Sequence, residues 1–151
     1  MINSYAIPFL ADLSKEIRLV VGAGYPMVCV RPIHDVDACV HPADWGELIT
    51  RSVDFDGELF TTAFDTVGMH IETLDYQIEI FPTSIPPGFA YLDLLDEGYD
   101  KLPNGLQVWT INQMIRWKKA FNRPKDQEDI KLLIKTAICN QKKSQKQPPI
   151  Q

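Results

Sequence analysis

The stretch that decides the fold is His34-Asp35-Val36-Asp37-Ala38-Cys39-Val40. Val36, Ala38 and Val40 alternate with Asp35, Asp37 and Cys39, the period of a strand with one face in a core. Two residues apart on such a strand, the Asp35 and Asp37 side chains share a face. Carboxylates held that close repel one another unless a cation lies between them, and their oxygens suit Mg²⁺ or Mn²⁺. Asp-x-Asp alone also fits an ordinary strand whose polar face meets water.

Upstream, Leu19-Val20-Val21-Gly22-Ala23-Gly24 is a short apolar run that ends in a turn of small residues. A turn of this kind can present backbone N–H groups to a phosphate, and the dipole of a following helix adds to the attraction. Pro26 suits the first turn of a short helix to Val30, which Pro32 closes. Nearer the start, Ile7, Leu10, Leu13 and Ile17 recur at helical spacing over 4–17, with Pro8 in the first turn.

Downstream, 44–53 reads as a helix whose apolar face holds Trp45, Leu48 and Ile49. Strands are expected at 58–64, 69–74 and 76–81, which are rich in Thr, Phe, Ile and Tyr. In the last of these, Glu79 lies between Ile78 and Ile80 and points away from both. It joins the carboxylates if its strand pairs beside 35–40, and Glu72 and Asp75 compete for that place.

A proline-rich loop follows, with a short helix expected over 91–96. Pro103-Asn104-Gly105 is a turn before a strand at 106–109. Thr110 can cap a helix to about Asn122, which the Arg123-Pro124 pair ends. The last helix starts at Asp126 and carries the stripe Ile130, Leu133, Ile134, Ala137 and Ile138. Beyond Asn140 no core face continues. One domain over 1–139 with a disordered tail over 140–151 is therefore expected. Within the two helices, Lys118 lies in line with Ile111, Met114 and Ile115, and Asp126 with Ile130, Leu133 and Ala137. Inward Lys or Asp is rarely left unpaired. Lys118 reads as an ion-pair partner or as a snorkelling edge residue, and Asp126 as a functional carboxylate or a helix cap.

The element order implies an α/β (α+β) chain with a mixed sheet. The 151 residues, 45% of them hydrophobic, suffice for one core and exclude collagen-like, disulfide-stapled or wholly disordered chains. The net charge of −5 averages two unlike parts: residues 1–100 carry 4 Lys/Arg against 17 Asp/Glu, whereas 101–151 carry 11 against 3. That split points to an anionic or metal-bridged ligand. Cys29, Cys39 and Cys139 have no zinc spacing and read as reduced thiols. The longest apolar run, Leu19 to Val30, is broken by Gly22, Gly24 and Pro26, and the start has no signal-peptide pattern. A soluble cytoplasmic protein without membrane partners is the expectation, and no feature sets an oligomeric state.

Taken together, the Leu19–Gly24 and His34–Val40 segments resemble the signature of the polymerase-β-like nucleotidyltransferase superfamily. That signature is a hydrophobic residue, Gly, then Gly or Ser, a short helix, and Asp-x-Asp on a strand. A third carboxylate on a later strand completes it, and Glu79 in Tyr76–Phe81 is the best match, a Glu where Asp is usual. The span from Asn112 to Leu133, with Lys118, Arg123-Pro124-Lys125-Asp126 and Asp129, is similar to minimal nucleotidyltransferases, including those of the abortive-infection toxin type. The resemblance implies transfer of a nucleoside monophosphate from an NTP to an acceptor, possible acceptors being a tRNA, another RNA, a protein or a small molecule. It implies Mg²⁺ or Mn²⁺ on Asp35, Asp37 and Glu79, with Glu79 as base. It implies phosphate contacts from Gly22, Ala23 and Gly24 and charge neutralisation by Lys118 and Arg123, with Asp126 orienting Lys118 or the nucleotide.

Two other readings compete. The chain can be a silent nucleotidyltransferase-like module that binds a partner, as an antitoxin, inhibitor or regulatory subunit does. Alternatively its basic end, with Lys131, Lys135, Lys142, Lys143 and Lys146 for charge and Trp109 and Trp117 for stacking, can bind nucleic acid. His34 reads as a packed or edge residue, and His41 and His70 carry no signal.

Overall fold

The computed structural model describes residues 6–22, 35–72 and 76–146. The expected helix after Pro26, together with Ala23, Gly24, Cys29, His34 and Asp75, lies outside those residues. Seven strands are described: β1 (Leu19–Val21), β2 (Asp35–Val40), β3 (Glu58–Thr61), β4 (Val67–Glu72), β5 (Gln77–Phe81), β6 (Asp100–Lys101) and β7 (Gln107–Val108). They form one sheet in the order β3-β4-β5-β2-β1-β7-β6. It is mixed: β2–β5 and β1–β7 are parallel, and the other pairs are antiparallel. The helices are α1 (Ala6–Leu13), α2 (Trp45–Arg51), α3 (Ile111–Phe121) and α4 (Pro124–Lys146). The expected α/β class with a mixed sheet is the observed one.

Strand alternation divides the side chains between two cores. Val36, Ala38 and Val40 of β2 join Ile78 and Ile80 of β5, Leu10 and Leu13 of α1 and Leu48 of α2 on one face. Val20 and Cys39 point the other way and pack with Tyr91, Leu94 and Trp109, with Met114 of α3 and with Leu133 of α4. The C-terminal helices thus cover only part of that second face, toward β1 and the end of β2.

Capping explains where α3 starts and stops. The Thr110 hydroxyl accepts the Gln113 backbone N–H at 3.1 Å, and the Gln113 side chain accepts the Thr110 N–H at 3.0 Å. This reciprocal box satisfies two donors that the first turn leaves free. Asn122, at φ 54°, ends the helix in the left-handed region that Asn tolerates.

Some expectations are corrected. Residues 91–96 form turns rather than a helix, because Tyr91 and Leu94 are held down by the second core instead of a helical ladder. The strand expected over 58–64 stops at Thr61, where a turn over 62–66 closes the β3–β4 hairpin around the Thr62–Thr66 side-chain hydrogen bond. β4 accordingly begins at Val67, two residues earlier than expected. The last helix begins at Pro124, which needs no N–H donor in a first turn. It runs to Lys146, past the Asn140 where the apolar stripe ends, since Gln and Lys sustain a helix without packing.

Ile78 is fully buried at the centre of the first core. Ile78→Ala should lower unfolding stability in urea by about 2–5 kcal/mol, the usual loss for truncating a buried Ile. A much smaller loss would show that the β2–β5 layer is not packed as described.

Candidate active site

Register places the acidic residues. In the parallel β2–β5 pair Asp37 lies opposite Glu79 and Asp35 opposite Gln77. On the next strand His70 lies opposite Glu79 and Glu72 opposite Gln77. Directly opposed residues point to the same face, so Asp35, Asp37, Glu79, His70 and Glu72 share the face that α3 and α4 partly cover. Glu79 is therefore the carboxylate that joins the Asp-x-Asp pair. Glu72 lies farther out, with its carboxylate 3.5 Å from His70 Nε2. His70, silent in the sequence, places Nδ1 3.8 Å from the Glu79 carboxylate. Its one signal was its spacing, two residues from Glu72 in an alternating strand.

Burial, with the charges of Glu79 and Asp35 added, pushes the Asp37 carboxyl up to about 7. A half-buried carboxylate with two acidic neighbours is the environment that a divalent cation relieves. Among the described residues no three His, Cys, Asp or Glu side chains close into a metal cage. The donor set nevertheless fits the hard, oxygen-seeking Mg²⁺ or Mn²⁺, since Asp35, Asp37 and Glu79 offer carboxylate oxygens only.

Gly22 is held against this site. Its N–H donates to the Asp37 carbonyl at 2.7 Å, extending the β1–β2 pairing by one residue. A Cβ on Gly22 would sit 2.9 Å from Cε2 of Trp109, so the indole needs a residue with no side chain there. Trp109 is buried, and its Nε1 has no hydrogen-bond partner among the described residues.

The cations expected at a triphosphate have partners already. Lys118 Nζ is buried 2.8 Å from Asp129 and 3.6 Å from Asp126. Arg123 donates from Nε and Nη2 to the Asp126 carboxylate at 2.8 and 3.1 Å, and its backbone N–H donates there too. Asp126 thus caps α4 and links both cations. Burial opposes its ionisation, but the hydrogen bonds and charge of Arg123, with that of Lys118, hold its carboxyl below the usual range. Asp129 is the partner that reasoning from the apolar stripes missed, because its role depends on how α3 and α4 cross. Neither Lys118 nor Arg123 lines the cleft beside Asp37; both flank Trp117, each 5.8 Å from its ring centroid.

That cleft holds about 300 Å³. Asp37 and Glu79 lie on its sheet side, Trp117 and Phe121 form a wall from α3, and Thr62 and Phe64 reach it from the β3–β4 hairpin. Cys39 also lines it, with a thiol that burial and the charges of Asp37 and Asp93 push up to about 12, so it stays un-ionised.

Known proteins can now be set beside this geometry. No family model and no curated protein matches the chain. Solved structures do, among them the following two. The lincosamide antibiotic adenylyltransferase LnuA, in a lincomycin-bound crystal structure, is 13% identical with a TM-score of 0.55, over 84% of this chain and 93% of that one. The solution structure of the antibiotic-resistance factor ANT(2'')-Ia is 15% identical with a TM-score of 0.54, over 85% and 80%. The chain has a nucleotidyltransferase fold. At such identities the likeness speaks for the fold alone. Among the described residues no helix is long and apolar enough to cross a membrane.

Two outcomes follow from the electrostatics. Lys118→Ala should cost about 3–5 kcal/mol of unfolding stability, since it leaves Asp126 and Asp129 buried without that ammonium; urea titration measures it. For Asp37, the carboxyl releases its proton near 3.8 when unfolded and near 7 when folded. Between those values only the unfolded chain has lost the proton, so this group's contribution to stability falls as pH rises and is fully lost above 7. In EDTA, Asp37→Asn should therefore melt higher than the parent at pH 8 and close to it at pH 4. Equal melting at both pH values would refute the burial of that charge.

Proposed function

We propose that the chain is a metal-dependent nucleotidyltransferase, moving an NMP from an NTP to the hydroxyl of an acceptor and releasing pyrophosphate. The single observation that carries this reading is the in-register β2–β5 pairing, which sets Glu79 beside Asp37 on a nucleotidyltransferase fold. Asp35, Asp37 and Glu79 are the residues that would hold Mg²⁺ or Mn²⁺. When bound, the metal neutralises the triphosphate and acidifies the attacking hydroxyl.

The rest falls to the chain's own residues. Gly22 is closed against Trp109 and spends its own N–H on the Asp37 carbonyl, so it does not make the expected phosphate contact; the backbone N–H groups of Ala23 and Gly24, next in sequence, are the ones that would meet the phosphates. Glu79 accepts the hydroxyl proton as the acceptor oxygen bonds to the α-phosphorus and the bond to the departing pyrophosphate breaks. His70, at 3.8 Å, restrains the Glu79 side chain. Lys118 and Arg123 act from behind the cleft: tied to Asp126 and Asp129, they fix Trp117 and Phe121 and leave the charge at the phosphates to the metal. The lincosamide antibiotic adenylyltransferase that it resembles in fold, seen with lincomycin bound, supports a small-molecule acceptor over a tRNA or protein one.

The alternative of a silent binding module makes the opposite kinetic prediction. Incubation of the protein with each NTP, Mg²⁺ and a cell extract should release pyrophosphate and label an acceptor. Asp37→Ala should abolish both, and Asp35→Asn should cut the rate by about a hundredfold or more, as expected for a lost metal ligand. Nucleotide binding without any pyrophosphate release would establish the silent module instead. For nucleic-acid binding, burial of Trp109 removes one of the two proposed stacking surfaces.

A further inference from the structure

Resting on the transfer reading and deepening it, we infer that the acceptor is a small amphiphile with a flat apolar body, neutral or cationic, that presents a hydroxyl to Glu79. The cleft's volume of about 300 Å³ is at the lower end for small-molecule sites and far below what a folded RNA or protein segment fills. Its walls are aromatic: Phe64, Phe81, Trp109, Trp117 and Phe121 all line it. Rings offer a flat partner large apolar contact at little entropic cost.

The charge pattern selects further. The charged residues that line the cleft among those described are Asp37 and Glu79, both acidic, and none is Lys, Arg or His. Among the described residues, the cations beside the aromatic wall are Lys118 and Arg123, which lie against Trp117 with their charges committed to Asp129 and Asp126. An anionic acceptor would find no Lys, Arg or His among the described lining residues, whereas a neutral or cationic one would meet aromatic walls. Ser84 adds specificity to the loop rather than to the ligand, since it donates to the Pro86 carbonyl and accepts the Phe89 N–H. Phe64, two-thirds exposed at the hairpin, is the wall residue with the fewest structural duties.

The test uses the full chain with Mg²⁺ and a non-hydrolysable ATP analogue, titrated calorimetrically with three probes of one aromatic body. These are serotonin (cationic), 5-hydroxytryptophol (neutral) and 5-hydroxyindole-3-acetate (anionic). Serotonin and the neutral alcohol should bind at least about tenfold tighter than the acid. Phe64→Ala and Phe121→Leu should each weaken serotonin about fivefold, while Val53→Ala, on the exposed surface away from the cleft, should not. Tighter or equal binding of the acid, no binding of any probe, or an unchanged affinity in Phe64→Ala would overturn the inference. So would displacement of serotonin by the nucleotide analogue, which would give the aromatic wall to the base. Probe binding without pyrophosphate release from any NTP would remove the transfer reading alone, and NTP turnover without probe binding would remove this inference alone.

Discussion

The site depends on one non-local constraint, the parallel pairing of β2 with β5 in a register that sets Asp37 opposite Glu79. Strand period allows no compromise, because a slip of one residue would turn Glu79 into the first core and bring Ile78 or Ile80 to the cleft. The register is fixed by what lies beneath. Val36, Ala38, Ile78 and Ile80 are all buried on the opposite face, and any slip would expose them. The same apolar burial that stabilises the sheet therefore assembles the carboxylates, and the destabilising charge at Asp37 is the cost of that placement.

A second constraint acts at the other end of the chain. Lys118, Asp126, Asp129 and Arg123 form one network where α3 meets α4. Buried ion pairs seldom stabilise a fold more than apolar residues of the same shape would. What such a network offers is geometry: it fixes the crossing of two helices and thereby the outward angle of Trp117 and Phe121. The ring of Phe121 lies 4.7 Å from both Trp117 and the Arg123 guanidinium, so ion network and aromatic wall are continuous.

How much of this was legible in the sequence depends on the range of each interaction. The alternation at 35–40 and 77–81 named the facing carboxylates because strand period is local, and the inward Lys118 and Asp126 stood out because they interrupt apolar stripes. Strand neighbours were not: nothing in Glu72, Asp75 or Glu79 says which strand lies beside β2, and only the pairing separates Glu79 from Glu72. The aromatic wall was illegible too, since Trp117 and Phe121, one turn apart, look like ordinary core positions of an amphipathic helix. Asp129 surfaced only through family likeness, and His70 not at all, because a polar residue in an alternating strand is unremarkable until its neighbour is known.

The uneven charge of the chain takes a different meaning from these distances. The excess of acid in the first hundred residues does include the carboxylates that suit a cation, yet the excess of base in the remainder does not face them. Its two best-placed members are neutralised within their own helical layer by Asp126 and Asp129, two of only three acidic residues in that segment. On the transfer reading proposed here, a triphosphate in this cleft would be balanced chiefly by metal on Asp35, Asp37 and Glu79, with Lys118 and Arg123 contributing rigidity. Among the described residues, such a division leaves the cleft lined by carboxylates and aromatic rings, with no Lys, Arg or His. In the proposed reaction, the electrostatics that would make a metal site would also restrict the second substrate.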